Sequence, residues 1–139
     1  MSATTTSLRI DRSWPRWLLI ALELFVGAGA VYGAVMLVID AWHLPVGDLA
    51  PLPLHSWVLP GVALFLGVAV PMLTSAALVW RRGSRAADVS FVAGTILVGW
   101  IAVQLVIIGP RMALQAVMAA SGLAIAALAW WWRSRPGAR

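Results

Sequence analysis

Four long apolar runs dominate the chain, each bounded by polar, charged or helix-breaking residues. The first, residues 17–40, is interrupted by a single acid, Glu23; the others cover 57–80, 89–108 and 112–132. As a helix rising 1.5 Å per residue, the first run measures about 36 Å, enough to cross a hydrocarbon core of about 30 Å with some tilt. The run passes Ala28-Gly29-Ala30 without a break and holds Glu23 inside it, so it reads as a span rather than a cleaved signal sequence. The pattern predicts an all-α fold: one integral membrane domain of four transmembrane helices with short loops. Polar tails are expected at 1–13, disordered, and at 133–139, basic.

Helix breakers punctuate the runs. Pro45, Pro51 and Pro53 lie between the first two spans, where they disfavour helix and predict a stiff, extended link. Pro60 and Gly61 stand at the entrance to the second span, and Pro71 in its middle denies a donor to the Gly67 carbonyl. A kink is therefore expected at Pro71, with Thr74 and Ser75 available to satisfy the local backbone. Asp88 is placed to cap the third span, and Gly109-Pro110 makes a tight turn into the fourth.

At 100° per residue, Glu23, Gly27, Ala30 and Ala34 share one stripe of the first span, with Gly29 and Gly33 beside it. Lipid tails provide no hydrophobic drive for helix association, so small residues that let backbones approach mark faces turned to protein. The fourth span repeats the offsets with Gln115, Ala119, Gly122 and Ala126, and the two stripes are expected to pack on each other. Gln104 and Gln115 lie five residues to either side of the Gly109-Pro110 turn, at matching depth in an antiparallel hairpin. They are expected to bond across it, with Trp100 packing nearby.

Composition agrees with this reading: of 139 residues, 62% are hydrophobic and 11% charged, leaving no room for a soluble catalytic domain beside four spans. The net charge of +5 arises from ten arginines, and nine of them (Arg9, Arg12, Arg16, Arg81, Arg82, Arg85, Arg133, Arg135 and Arg139) fall on one side of a four-span topology. The positive-inside rule makes that side cytoplasmic, with both termini inside, and removes the charge as a nucleic-acid signal. The expected location is the cytoplasmic membrane of a bacterium. Trp14, Trp17, Trp80 and Trp130 to Trp132 mark the inner interface, Trp42 and Trp57 the outer. No cysteine is present, which excludes disulfides and thiolate metal sites.

Candidate chemistry is sparse. An ionisable group within a span is costly to keep there, so Glu23 is the leading functional candidate, heading an intramembrane polar set with Gln104, Gln115 and Trp100. On the outer face Asp40, His43, Asp48 and His55 form a polar cluster, with Arg111 available to pair with Asp40 or Asp48. Asp40 and His43 have the i, i+3 spacing of ligands on a helix end, but the set matches no defined zinc pattern, and His43 with His55 as haem ligands has no further support. No metal or other cofactor is assigned. With no nucleophile triad, phosphate loop or paired intramembrane carboxylates, no catalytic residue is assigned either.

The glutamate and glycines of span one ending in Asp40, Leu59-Pro60-Gly61, Gly99-Trp100-Ile101 with Gln104, and Gln115 with Gly122 together resemble an uncharacterised bacterial family of small four-span membrane proteins. The resemblance covers most of the chain and implies a fold and a location, not an activity. Ala41-Trp42-His43 and Leu54-His55-Ser56 depart from its usual outer loop. A single glutamate in the first of four spans is also similar to the small multidrug-resistance transporters, but the Pro-rich and Arg-rich loops here are unlike theirs. The function expected is that of a non-enzymatic structural or accessory membrane protein, associating through Gly27, Gly29, Ala30, Gly33, Ala34 and Gly122 with the lipid bilayer around it and with further copies or a larger membrane partner. The alternative is a small proton-coupled transporter working as an oligomer, with Glu23 as its proton or cation site.

Overall fold

A computed structural model describes residues 13–135. The expectations for the N-terminal tail, with Arg9 and Arg12, and for the end of the basic tail, with Arg139, lie outside the described residues. Four helices are long and apolar enough to cross a membrane: α1 (Trp14–Val38), α2 (Val58–Trp80), α3 (Ala86–Ile108) and α4 (Ala113–Arg133). The first is longer at its start than the apolar run, because Pro15 fits the first turn, where its missing N–H has no helical partner to lose. It ends before Asp40, which takes a positive φ of 52° and cannot continue a right-handed helix.

Two expectations about breakers change. The Pro-rich connection is not simply extended: it folds a 3-10 turn, Val46–Leu49, that tucks Leu49 into the protein. In α2, the turn preceding Pro71 widens into a π-helical segment, Phe65–Ala69. Such a turn accommodates a residue that cannot donate to the regular ladder. Ser75 takes no part in that local repair, because its hydroxyl is used elsewhere.

The helices run alternately up and down, each packed on its neighbours in sequence, with α1 also against α4. The closest approach joins α3 to α4. A Cβ placed on Gly94 would stand 2.8 Å from the Ala126 nitrogen and 2.9 Å from the Gly122 oxygen, and one on Gly122 would meet the Gly94 oxygen at 3.1 Å. Between α1 and α2, a Cβ on Gly61 would lie 3.0 Å from the Ala34 oxygen, and one on Gly27 2.8 Å from Leu73 Cδ2. The predicted stripe Glu23, Gly27, Ala30 and Ala34 is buried throughout, as expected of a protein-facing side. Its partner differs from expectation. The α1 stripe meets α2, and Gly122 meets α3, because each helix has its tightest small-residue contact within its own hairpin.

Arginine and tryptophan tie together the end where α1 begins and α4 finishes. Arg16 donates to the carbonyls of Val79 at 3.1 Å and Trp80 at 2.7 Å, capping the C-terminus of α2 with a cation where the helix dipole favours one. Trp17 meets Trp80 edge-on at 5.5 Å, Trp14 lies 5.4 Å from Trp131, and the Arg135 guanidinium sits 3.4 Å from the Trp131 ring centre. Asp88 is inside the first turn of α3 rather than at its cap, 3.2 Å from Arg133 of α4. Its charge still suits a helix N-terminus.

Two glycines of the same helix separate packing from propensity. Gly94→Ala is expected to lower stability by about 1–3 kcal/mol, since backbone atoms rather than a flexible side chain oppose the new methyl. Gly99, with nothing within 4 Å of its ideal Cβ, should gain up to about 1 kcal/mol on change to alanine. Thermal or denaturant unfolding in a fixed detergent checks both; a harmless Gly94→Ala would contradict the packing described.

Candidate functional site

Two polar features stand out inside the bundle, at different depths. The first belongs to α1, α2 and α3 near the Trp17–Trp80 end. Each helix has a buried stripe at offsets of 0, 4, 7 and 11: Glu23-Gly27-Ala30-Ala34 on α1, Val68-Met72-Ser75-Val79 on α2 and Ser90-Gly94-Leu97-Ile101 on α3. These stripes bring Glu23, Ser75 and Ser90 together, all fully buried. Ser75 Oγ donates to Glu23 Oε1 at 2.7 Å and lies 2.8 Å from Ser90 Oγ. With the Ser75 proton given to the carboxyl, Ser90 is the donor in the second bond, so a directed chain runs from α3 through α2 to α1. Glu23 Oε2 has no partner among the described residues.

Glu23 therefore joins a set different from the expected one. Its partners are serines, and neither Gln104 nor Gln115 nor Trp100 is bonded to it. Ser90 escaped notice in the sequence because a serine near a helix start reads as a capping or surface residue. The usable signal was periodic: Ser90 heads the same 4-7-11 pattern as Glu23, running into Gly94.

The second feature is a cleft of about 170 Å³ on the side of the inter-helix loops. All four helices contribute to it, and Trp42, Trp57, Asp48 and Arg111 stand among its loop-side walls. Gln104, Gln115 and Trp100 all line it, but the two glutamines are not bonded to each other. Gln115 instead braces the turn. Its Oε1 accepts from the backbone N–H of Arg111 at 3.1 Å and of Met112 at 3.4 Å, and its Nε2 donates to the Gly109 oxygen at 3.3 Å. Methionine at the N-cap offers no oxygen, so the glutamine three residues on satisfies these otherwise free groups. The Gln104 amide makes no hydrogen bond among the described residues, and the Trp100 indole N–H is buried without an acceptor.

At the end of the bundle with the α1–α2 and α3–α4 connections, only part of the cluster expected on the outer face assembles. Arg111 pairs with Asp48 at 3.1 Å, one of its two anticipated partners. Asp40, His43 and His55 remain exposed. Asp40 and His43 both lie beyond α1 with positive φ, so the helix-end geometry that would align them as ligands is absent. Among the described residues no three His, Asp or Glu side chains gather in a metal-binding group.

Fold and composition define a multi-pass membrane protein of four helices. No protein-family model, curated protein or solved structure matches the chain.

The serine chain predicts an order of sensitivity. Ser75→Ala removes the donor to Glu23 and interrupts the link between three helices, and should cost about 1–3 kcal/mol, the range for stranding a buried polar group. Ser90→Ala leaves the Ser75–Glu23 bond in place and should cost less. Unfolding titrations of the two variants in one detergent check this, and an equal or reversed order would contradict the chain as drawn.

Proposed function

We propose that the protein is a non-enzymatic accessory protein of a bacterial cytoplasmic membrane that associates with further copies or a larger membrane partner. The observation that carries this reading is the enclosure of Glu23. A carboxyl serving transport must meet a water-filled path, whereas this one is fully buried, bonded to Ser75, and absent from the walls of the cleft. Such a carboxyl sets helix register. The small residues first considered for association are largely consumed inside the chain, with Gly27, Ala30, Gly33, Ala34 and Gly122 all buried. Gly29 stays exposed on α1, and the face proposed for a partner is on α4, where Ala116, Ala120, Ala124 and Ala127 are exposed in succession. Close backbone approach is available there at little entropic cost. The arginine asymmetry supports cytoplasmic termini, and the likeness to uncharacterised bacterial four-span proteins fits the same location.

One observation favours the proton-coupled transporter as a second reading: Glu23 Oε2 is buried without a partner, where a proton or a cation would satisfy it. Glu23→Gln separates the two. Loss of stability or of an oligomer without any change in proton movement supports the accessory role. Proton release on addition of cationic ligands to wild-type vesicles, lost in Glu23→Gln, supports transport instead.

The association face and the orientation have their own tests. Ala120→Ile with Ala124→Ile should abolish crosslinked or resonance-energy-transfer-detected association in vesicles while leaving the unfolding midpoint nearly unchanged. Because the chain has no cysteine, single substitutions report topology without background. Ser134→Cys should resist an impermeant maleimide added to intact cells and Gly47→Cys should react; the opposite labelling would invert the proposed orientation.

A further inference from the structure

We propose that the loop-side cleft binds an uncharged, ring-sized lipophilic molecule that carries a hydrogen-bond acceptor. This site is separate from the Glu23 chain and from the association face. A cavity of about 150 Å³ accepts a benzene ring when its lining is apolar, and this one, at about 170 Å³, has room for a ring with a small substituent. The space arises where Ala30 and Gly33 of α1 face Leu64 and Val68 of α2 and Met118 of α4. Glycine and alanine on the α1 wall leave space beside the larger residues, although Leu64 comes within 3.3 Å of where a Gly33 Cβ would stand.

The polar groups of the cleft decide the rest of the ligand's chemistry. Gln115 is committed to the turn through both ends of its amide. Gln104 is not, and its NH2 group is available at the α3 wall. One turn earlier on α3, Trp100 adds an aromatic surface to the lining, while its indole N–H is buried within the protein and is not offered to the cleft. The Gln104 NH2 group is thus the open donor on this wall, and a carbonyl or ether oxygen on the ligand complements it. Asp48 and Arg111 are the charged residues of the lining, and they neutralise each other at 3.1 Å. With these two charges paired to each other, the lining presents no net charge for an ionic ligand, so the occupant is neutral. Trp42, Trp57 and Trp100 stand in the lining, which suits a flat ring.

The test uses the full chain in lipid nanodiscs with 4-bromoacetophenone as the probe, read by quenching of tryptophan emission, since three of the nine tryptophans line the cleft. Saturable quenching is expected in wild type and in Gly99→Leu, whose position is open and outside the cleft. It should be lost in Gly29→Leu, where the new Cβ makes only an ordinary 3.6 Å contact with Met118 and the side chain takes up space in the lining. Gln104→Leu should weaken the bromoacetophenone about fivefold, the equivalent of one net hydrogen bond, and leave bromobenzene unchanged. That selective loss stands even if Gly29→Leu fails to fold. Quenching that rises linearly with probe in wild type, as for partition into lipid, would overturn the proposal. So would saturation that survives in a folded Gly29→Leu, or an equal loss of both probes in Gln104→Leu.

Discussion

In a bilayer the helices of this protein cannot be driven together by the exclusion of water from their apolar sides, because lipid tails are as apolar as the side chains themselves. Association must come from dispersion between closely approaching backbones and from polar groups that lack a better partner in hydrocarbon. Both are present, and they divide the work. Gly94 and Gly122 bring α3 and α4 to backbone contact, while Gly61 does the same for α1 and α2 and Gly27 receives the Leu73 side chain. Each hairpin is thereby a unit held by shape.

The Glu23–Ser75–Ser90 chain links the two units. A membrane hydrogen bond averages only about 0.6 kcal/mol, so the two bonds do not compete with glycine packing as a source of stability. Their larger effect is specificity. A carboxyl and two hydroxyls placed anywhere else in the apolar interior would be stranded at a cost on the order of several kcal/mol, so α1, α2 and α3 are confined to the rotation that brings them together. Arg16 adds a second constraint at the same end, binding the last carbonyls of α2 from the start of α1.

The opposite half is less tightly filled. There the π-helical turn of α2 passes Val68 behind the cleft, Gln115 is spent on the α3–α4 turn, and Gln104 and Trp100 keep unused donors. One end of the bundle is locked by a polar chain and an aromatic-cation belt. The other retains space beside the free Gln104 amide, the setting of the proposed ligand site. The Asp48–Arg111 pair leaves the cleft lining without net charge.

The sequence by itself determined the four spans and the buried stripe on α1, because apolar length and helical periodicity are local properties that a bilayer rewards directly. It also determined that Asp48 was a candidate partner for Arg111, since both fall in loops on one side of the spans. Only the tertiary structure decided which stripe meets which. The 4-7-11 offsets of α1 and α4 match, but α2 and α3 have the same offsets, so the pattern marks buried stripes without saying which two meet, and Gly27 and Gly33 of α1 packed on α2 instead. The partners of Glu23 were hidden for the same reason: Ser75 and Ser90 are ordinary residues until the rotation of three helices places them within 3 Å of one another in a chain. Gln115 reversed its expected role because the backbone groups freed by Gly109-Pro110 lie closer to it than Gln104 does, and a side-chain amide satisfies the nearest unpaired backbone first.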